Sequence, residues 1–414
     1  VSINVTELYR RHLGEGQGRV AAMLNTPVEA AAHGATVVAA DGRELLNCGG
    51  YGVFLLGAGH PVVLAAVREQ LERQALSTRL LLNEPAALAA RALTGVAPAG
   101  LTKVHFSCSG AEAVETAIKL ARANGRHRLV SMRDGYHGKT TGALSLTARG
   151  VYQDPFRPLL PEVTHVPFGD LDALERVLGP DVCVVVEPVQ SEGGVIIPPE
   201  GYLKGVAERC RAHGALLVLD EVMTGLGRLG SWWGADRDGV TPDILLAGKA
   251  LSGGLVPVAA TLATPRVFAP LDKDPYLHTA TFAAAPLAMA AVRATVEVIG
   301  AEDLVGRAGQ IGARVLAGLR ATVDRHIGHL VAEVRGLGLL IGMEFRTGGL
   351  AAEFLMDLLD HDIVVNHSMN AHPVIRFTPP AVLTPQEEER LMRSFDAACA
   401  ALAARFPADA VVPA

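Results

Sequence analysis

At 414 residues, with half of them apolar and 19% charged, the chain has the make-up of a globular protein of two or three domains around at least one large core. Its net charge of −6 comes with acids and bases interleaved and no long basic block, which argues against a nucleic-acid groove. No apolar run approaches the roughly 18 residues that cross a bilayer.

The opening stretch VSINVTELYRRHLGEG lacks the apolar core of a secretory signal, so a cytoplasmic protein is expected. A helix is predicted from Val5 to Leu13. ATVVAADGRELLN follows, two apolar runs around Asp41-Gly42, a pair that favours a tight hairpin. Between about 50 and 300, short apolar runs alternate with amphipathic stretches. The strand candidates are KVHFS (103–107), RLVSM (128–132), VCVVVE (182–187), ALLVLD (215–220), DILLA (243–247) and PVAATLA (257–263). Stretches such as EAVETAIKLARANG place apolar residues at helical spacing between them. Strands apolar throughout and separated by helices predict an α/β fold with a mainly parallel sheet covered on both faces. Beyond about 300 a long helix, the hairpin LVAEVRGLGLLIGMEF and further elements predict a smaller α+β domain. The expected division is a 1–50 segment joining the small domain, a large domain over 51–300, and a small domain over 301–414.

Two runs imitate nucleotide motifs. Gly138-Lys139-Thr140 has the ending of a phosphate loop, but Arg133 stands where its leading glycine belongs. GLGRLG at 225–230 matches the dinucleotide pattern, yet SWWG follows it instead of an amphipathic helix, and Asp243 opens its strand rather than closing it. These glycines are expected to be loop-formers. The five cysteines (48, 108, 183, 210 and 399) form no CxxC pair, which fits reduced thiols better than a disulfide frame or a zinc cluster.

In open α/β sheets, ligands sit beyond the carboxyl ends of the strands. Ser109-Gly110-Ala111 follows the first strand candidate, Gly135-Tyr136-His137 the second, and Glu187 to Glu192 the third; Asp220 closes the fourth and Lys249 lies just past the fifth. Each has an ordinary explanation: a surface lysine, an acid held by backbone amides, a helix cap with acids in its first turn. Each also has a chemical one. A lysine wrapped in Gly248, Gly253 and Gly254 becomes a nucleophile for aldehydes if desolvation lowers its pKa. A carboxylate ending an apolar strand needs a cation or donors, and could hold a protonated pyridine nitrogen. Small residues at a helix start leave backbone N–H groups open to a phosphate. Together these functions describe pyridoxal 5′-phosphate (PLP).

At this point the chain resembles the class III (ω-amino acid type) PLP-dependent aminotransferases over nearly its whole length. The resemblance is carried by ADGRELLNCGGYGVFLLGAGHP, FSCSGAEAVETAIKLAR, DGYHGKTTGALS, EPVQSEGGVIIPPEGYL, LVLDEVMTGLGRLG, PDILLAGKALSGG, HTATFAAAPLAMAA, VRGLGLLIGMEF and VIRFTPP, in the family's order. It implies the fold-type I architecture and a homodimer with both active sites at the interface. It also implies that Lys249 forms the Schiff base with the cofactor and Asp220 pairs with the ring nitrogen. Ser109, Gly110 and Ala111 would bind the phosphate of their own chain, with Tyr136 and its neighbour His137 on one side of the ring and Val222 on the other. Thr281 would reach the partner's phosphate. Arg376 resembles the arginine that clamps a substrate carboxylate, and Glu192 the acid that pairs with it when the amine substrate has none. Met223 stands where the family often has glutamine, and Ala285 where asparagine is common.

Within the family, GGYGVFLLGAGHPVVLAAVREQL, GYHGKTTGALSLTAR and FRPLLPEVTHVPFGD look most like the putrescine (diamine) branch. The expected substrates are a terminal primary amine or its aldehyde, with 2-oxoglutarate or pyruvate and the matching amino acid on the other side. A biosynthetic enzyme aminating a long-chain or carrier-released aldehyde is equally compatible, and acetylornithine, ornithine and lysine aminotransferases are close alternatives. Racemases, aminomutases, decarboxylases and phospho-lyases share the fold and cofactor, and Met223 keeps the aminomutase reading open. A PLP-fold regulator without catalysis belongs to a different class; the intact Lys249 and Asp220 speak against it.

Overall fold

The computed structural model describes residues 4–408. Its centre is a seven-stranded sheet built from Lys103–Ser107 (β1), Arg128–Met132 (β2), Val163–Val166 (β3), Val182–Val186 (β4), Leu216–Asp220 (β5), Ile244–Ala247 (β6) and Ala259–Ala263 (β7). The spatial order is β1-β7-β6-β5-β4-β2-β3. The strands from β3 across to β6 pair in parallel, whereas β7 runs antiparallel to both of its neighbours. All six strand candidates from the sequence are strands. β3, which no expectation covered, is short, half polar and at the sheet edge.

Alternation along the strands divides the core. Leu216 and Val218 pack with Val114, Ala117 and Ile118 of the Gly110–Ala123 helix on one face, while Leu217 and Leu219 belong to a larger cluster on the other. With apolar side chains on both faces, the sheet can hold parallel strands away from water. Asp220 continues the Leu216/Val218 alternation, so the acid emerges at the strand's end on the side of that helix.

The Asp41-Gly42 hairpin joins Thr36–Ala39 to Glu44–Asn47, with Gly42 at φ +89. This hairpin belongs to a four-stranded sheet in which Ile363 pairs in parallel with Leu46. The Val5–Leu13 stretch is one α-helical turn running into a π-helical segment, stopped at Gly14. LVAEVRGLGLLIGMEF forms the antiparallel pair Val331–Leu337 and Leu340–Phe345, and Leu304–His326 is the long helix before it.

GLGRLG is a loop, with Leu226, Gly227 and Gly230 all at positive φ. Its Arg228 is buried and donates to the carbonyls of Pro379 (2.7 Å) and Gly52 (3.0 Å), clamping the loop to distant parts of the chain. Burial pulls that guanidinium down to about 9. Among the described residues all five cysteines are free thiols, and no helix is long and apolar enough to cross a membrane.

Candidate active site

The first wall of the site is a helix start. Ser109 Oγ accepts the Glu112 N–H at 3.2 Å, a plain N-cap, and Ser109 itself is exposed. The N–H groups of Gly110 and Ala111, in the first turn, have no partner within the helix. The acids that follow do not crowd them. Glu112 turns back to accept the Cys108 N–H at 2.8 Å. Glu115 accepts the Thr140 hydroxyl (2.6 Å) and the Gly142 N–H (2.8 Å), capping the short Thr141–Leu146 helix. This gives the GKT run its place. Gly138 sits at φ +117, where a Cβ would lie 2.7 Å from that of Ala111, and Thr140 serves Glu115. Lys139 Nζ rests 4.0 Å from the centre of the Tyr152 ring.

The opposite wall is a buried acid–imidazole pair. Asp220 Oδ2 lies 2.7 Å from His137 Nδ1, and Asp220 Oδ1 accepts the Val222 N–H at 3.1 Å. Burial pulls the His137 pKa down, but the Asp220 hydrogen bond, its charge and that of Glu187 together hold it above its ordinary value. Glu187 accepts the Tyr136 N–H at 2.9 Å and, more weakly, the Ser191 N–H at 3.4 Å. Burial raises its carboxyl to about 7. The sequence placed Glu187 on the rim without a role; its signal was the same as that of Asp220, an acid closing a wholly apolar strand.

Lys249 follows β6 with φ +46, a left-handed conformation costly for a side-chain residue. Its turn is completed by Gly253 and Gly254, at φ +61 and +78. Burial lowers its pKa, while Glu192, Asp220 and Glu187 pull it upward. Val222 is fixed between two glycines: a Cβ on Gly110 would meet its Cγ1 at 3.0 Å, and one on Gly248 at 3.2 Å. Tyr136 is half-buried, with its hydroxyl pushed up to about 12 by burial and by Glu192.

Glu192 and Arg376 form a buried ion pair at 2.7 Å. Glu192 also accepts the Met369 N–H, and Arg376 donates to Ser191 Oγ, each at 2.9 Å. The Nε and Nη2 of Arg376 are buried without hydrogen-bond partners among the described residues. Thr281 lies apart, on an exposed turn.

Gly110, Ala111, Tyr136, His137, Glu192, Asp220, Val222 and Lys249 open on one cavity of about 230 Å3. Met223, which stands where the family often has glutamine, lines it too, as do Gly138, Lys139, Glu187 and Ser191, which were not among the expected binding residues. Ser109 caps the helix beside it, Arg376 stands behind Glu192, and Thr281 is not among its lining residues. A primary amine for the aldehyde, a carboxylate for the ring nitrogen, open helix-start amides in a glycine-shaped cradle for the phosphate, and Tyr136 and Val222 for the ring faces fit PLP.

Residues 20–399 match the aminotransferase class-III family model, and the chain belongs to that family. It is a PLP-dependent transaminase of fold type I. The ornithine aminotransferase of Toxoplasma gondii is 31% identical and superposes with a TM-score of 0.86, covering 98% of this chain and 99% of that one. An amine transaminase from an uncultivated Pseudomonas species, solved in its PLP-bound form, is 31% identical with a TM-score of 0.82, over 91% and 95% of the two chains. The omega transaminase of Pseudomonas jessenii, in complex with PMP, is 25% identical with a TM-score of 0.90, over 99% and 100%.

Proposed function

We propose that this transaminase moves an amino group between a terminal primary amine, or the matching aldehyde, and an α-amino acid/2-oxo acid pair. The buried Glu192–Arg376 pair carries this reading. While the two are joined, the charge of Arg376 is taken up by Glu192, which suits an amine without an α-carboxylate. A 2-oxo acid must bring its own carboxylate to Arg376, whose Nε and Nη2 have no other partner. Glu192 must then give way.

When bound, PLP supplies the aldehyde that takes up the amino group and the electron-poor ring that makes the adjacent C–H acidic. Lys249 is the attachment point. Its Nζ, whose pKa burial lowers, would be the base that removes the proton from the carbon bearing the donor nitrogen. Asp220, held in place by His137 and the Val222 N–H, would keep the ring nitrogen protonated. Tyr136 and Val222 would bound the ring faces, and the Ser109-Gly110-Ala111 turn would take the phosphate.

The protein acts as a homodimer in this account, with Thr281 serving the partner's phosphate. Thr281 sits on a turn whose Tyr276 and Phe282 are 83% and 58% exposed, and Leu80 and Leu82 nearby in sequence to Arg79, which binds that turn, are 85% and 104% exposed. So much open apolar surface calls for a covering partner. The chain divides at about 50 and 300 in the same reading, with the 1–50 segment joining the small domain, as the pairing of Ile363 with Leu46 supports.

Arg376→Lys tests the substrate reading. Lysine keeps a charge against Glu192 but loses the planar fork. The KM for 2-oxoglutarate should rise about tenfold or more, the worth of one charge-assisted hydrogen bond. Aldehyde release from a diamine in a single half-reaction should change little. An equal loss in both half-reactions would contradict the switch. A second reading, an ornithine-type ω-amino acid as donor, is supported by the 31% identity to the Toxoplasma gondii enzyme. Comparing turnover of ornithine with that of putrescine separates the two. An aminomutase would instead release no free carbonyl product.

A further inference from the structure

A polar cluster outside the cavity ties the Thr281 turn to the helix that starts at the phosphate end of the site. His278 Nδ1 lies 3.0 Å from Lys119 Nζ, and His278 Nε2 lies 3.0 Å from Thr116 Oγ1. An ammonium group has only donors, so Nδ1 must accept. The ring proton then sits on Nε2 and goes to Thr116, whose own hydroxyl donates to the Glu112 carbonyl at 2.9 Å. Each donor and acceptor in the chain is used consistently. The His105 ring lies against His278, with centroids 4.8 Å apart and planes tilted by 31°. Burial, then the neighbouring Lys119, lowers the His278 pKa, which agrees with a neutral ring at pH 7.

The turn is fastened from its other flank as well. Arg79 donates to the carbonyls of Ala280 and Ala283, at 2.5 and 2.9 Å, on either side of Thr281. The Thr281 side chain between them is exposed and makes no hydrogen bond among the described residues. A threonine held by its neighbours and left unused is presented outward.

The geometry points to His278 as a positioning residue that couples the two cofactor sites of the dimer, by locking the turn that presents Thr281 to the partner onto the Gly110–Ala123 helix. This rests on the dimer reading above. The first turn of that helix holds the phosphate of its own chain, and Thr116 and Lys119 lie one and two turns further along. Ordering the helix start in one subunit therefore steadies the threonine that completes the other site. A second ligand then binds to a protein already partly ordered, which is positive cooperativity without a large change of shape.

The test is PLP titration of the cofactor-stripped full-length dimer, followed by absorbance, for the wild type, His278→Ala, His278→Gln, Thr281→Ala and the double variant His278→Ala/Thr281→Ala. The wild type should bind two equivalents with the second favoured. His278→Ala should weaken retention about fivefold, the worth of one neutral hydrogen bond, and make the sites independent. Glutamine, whose amide N–H can still reach Thr116 Oγ1, should restore most of both. The double variant should be no weaker than Thr281→Ala alone. Additive losses in the double variant, independent sites in the wild type, or no rescue by glutamine would overturn the coupling. Thr281→Ala binding PLP as tightly as the wild type would instead overturn the dimer reading beneath it.

Discussion

The two ends of the cofactor site are built on different principles. At the ring end the two buried acids are spoken for within one chain: Asp220 by His137 and the Val222 N–H, and Glu187 by the Tyr136 N–H. At the proposed phosphate end the helix amides of Gly110 and Ala111 have no partner within the helix, and the exposed Thr281 side chain makes no hydrogen bond among the described residues. The first arrangement is preorganised for charge development, and the second, in the proposed homodimer, would be finished only on assembly. Catalytic electrostatics need groups whose positions are fixed before the reaction. Cofactor retention can be shared between subunits, because it is a binding term that assembly can supply.

This contrast ranks the expected effects of substitution. Asp220→Ala should cut turnover most, by about three decades, since a close ion pair at an effective dielectric near 20 is worth roughly 4 kcal/mol. It should do so even at saturating PLP, as steady-state assays with added cofactor would show. Thr281→Ala should cost about 1 kcal/mol in cofactor affinity and leave kcat near normal when PLP is saturating. Equal damage from the two substitutions would erase the distinction between the ends.

The smallest effect concerns pH. His137 has its folded pKa raised above 6.5, so its contribution to stability is complete below pH 6.5 and is lost as pH rises through the folded value. Glu187, raised from 4.5 to about 7, loses its own share between those values, so the His137 effect is read as a difference from a variant without the imidazole. From pH 6.5 upward the thermal midpoint should decline with rising pH. In His137→Gln that decline should be flatter, and a parallel decline would show that the pair with Asp220 is not its source.

Much of the ring end was legible in the sequence. Asp220 and Lys249 stand directly after runs of β-forming apolar residues, where alternation and burial leave a strand terminus few places to be. The strands around them were readable for the same reason. β3 was not, because four half-polar residues at a sheet edge carry no periodic signal. The cap made by Glu115 was hidden too. Glu115 reads as a generic helix-surface acid, and its bonds to Thr140 and Gly142 span more than twenty residues of sequence. GKT looked like a nucleotide motif because its spacing is local, whereas its use is decided by a long-range contact. His278 could be placed in the HTATF run but not given its ties to Thr116 and Lys119, which depend on how a loop folds back on a helix.

Borohydride reduction of the PLP-loaded protein, followed by peptide mass spectrometry, tests the central claim most directly. The cavity contains a second lysine, Lys139, within the same lining, so the experiment offers a real choice. A pyridoxyl adduct confined to the peptide bearing Lys249 is the predicted result. An adduct on Lys139, or on no lysine at all, would contradict the account.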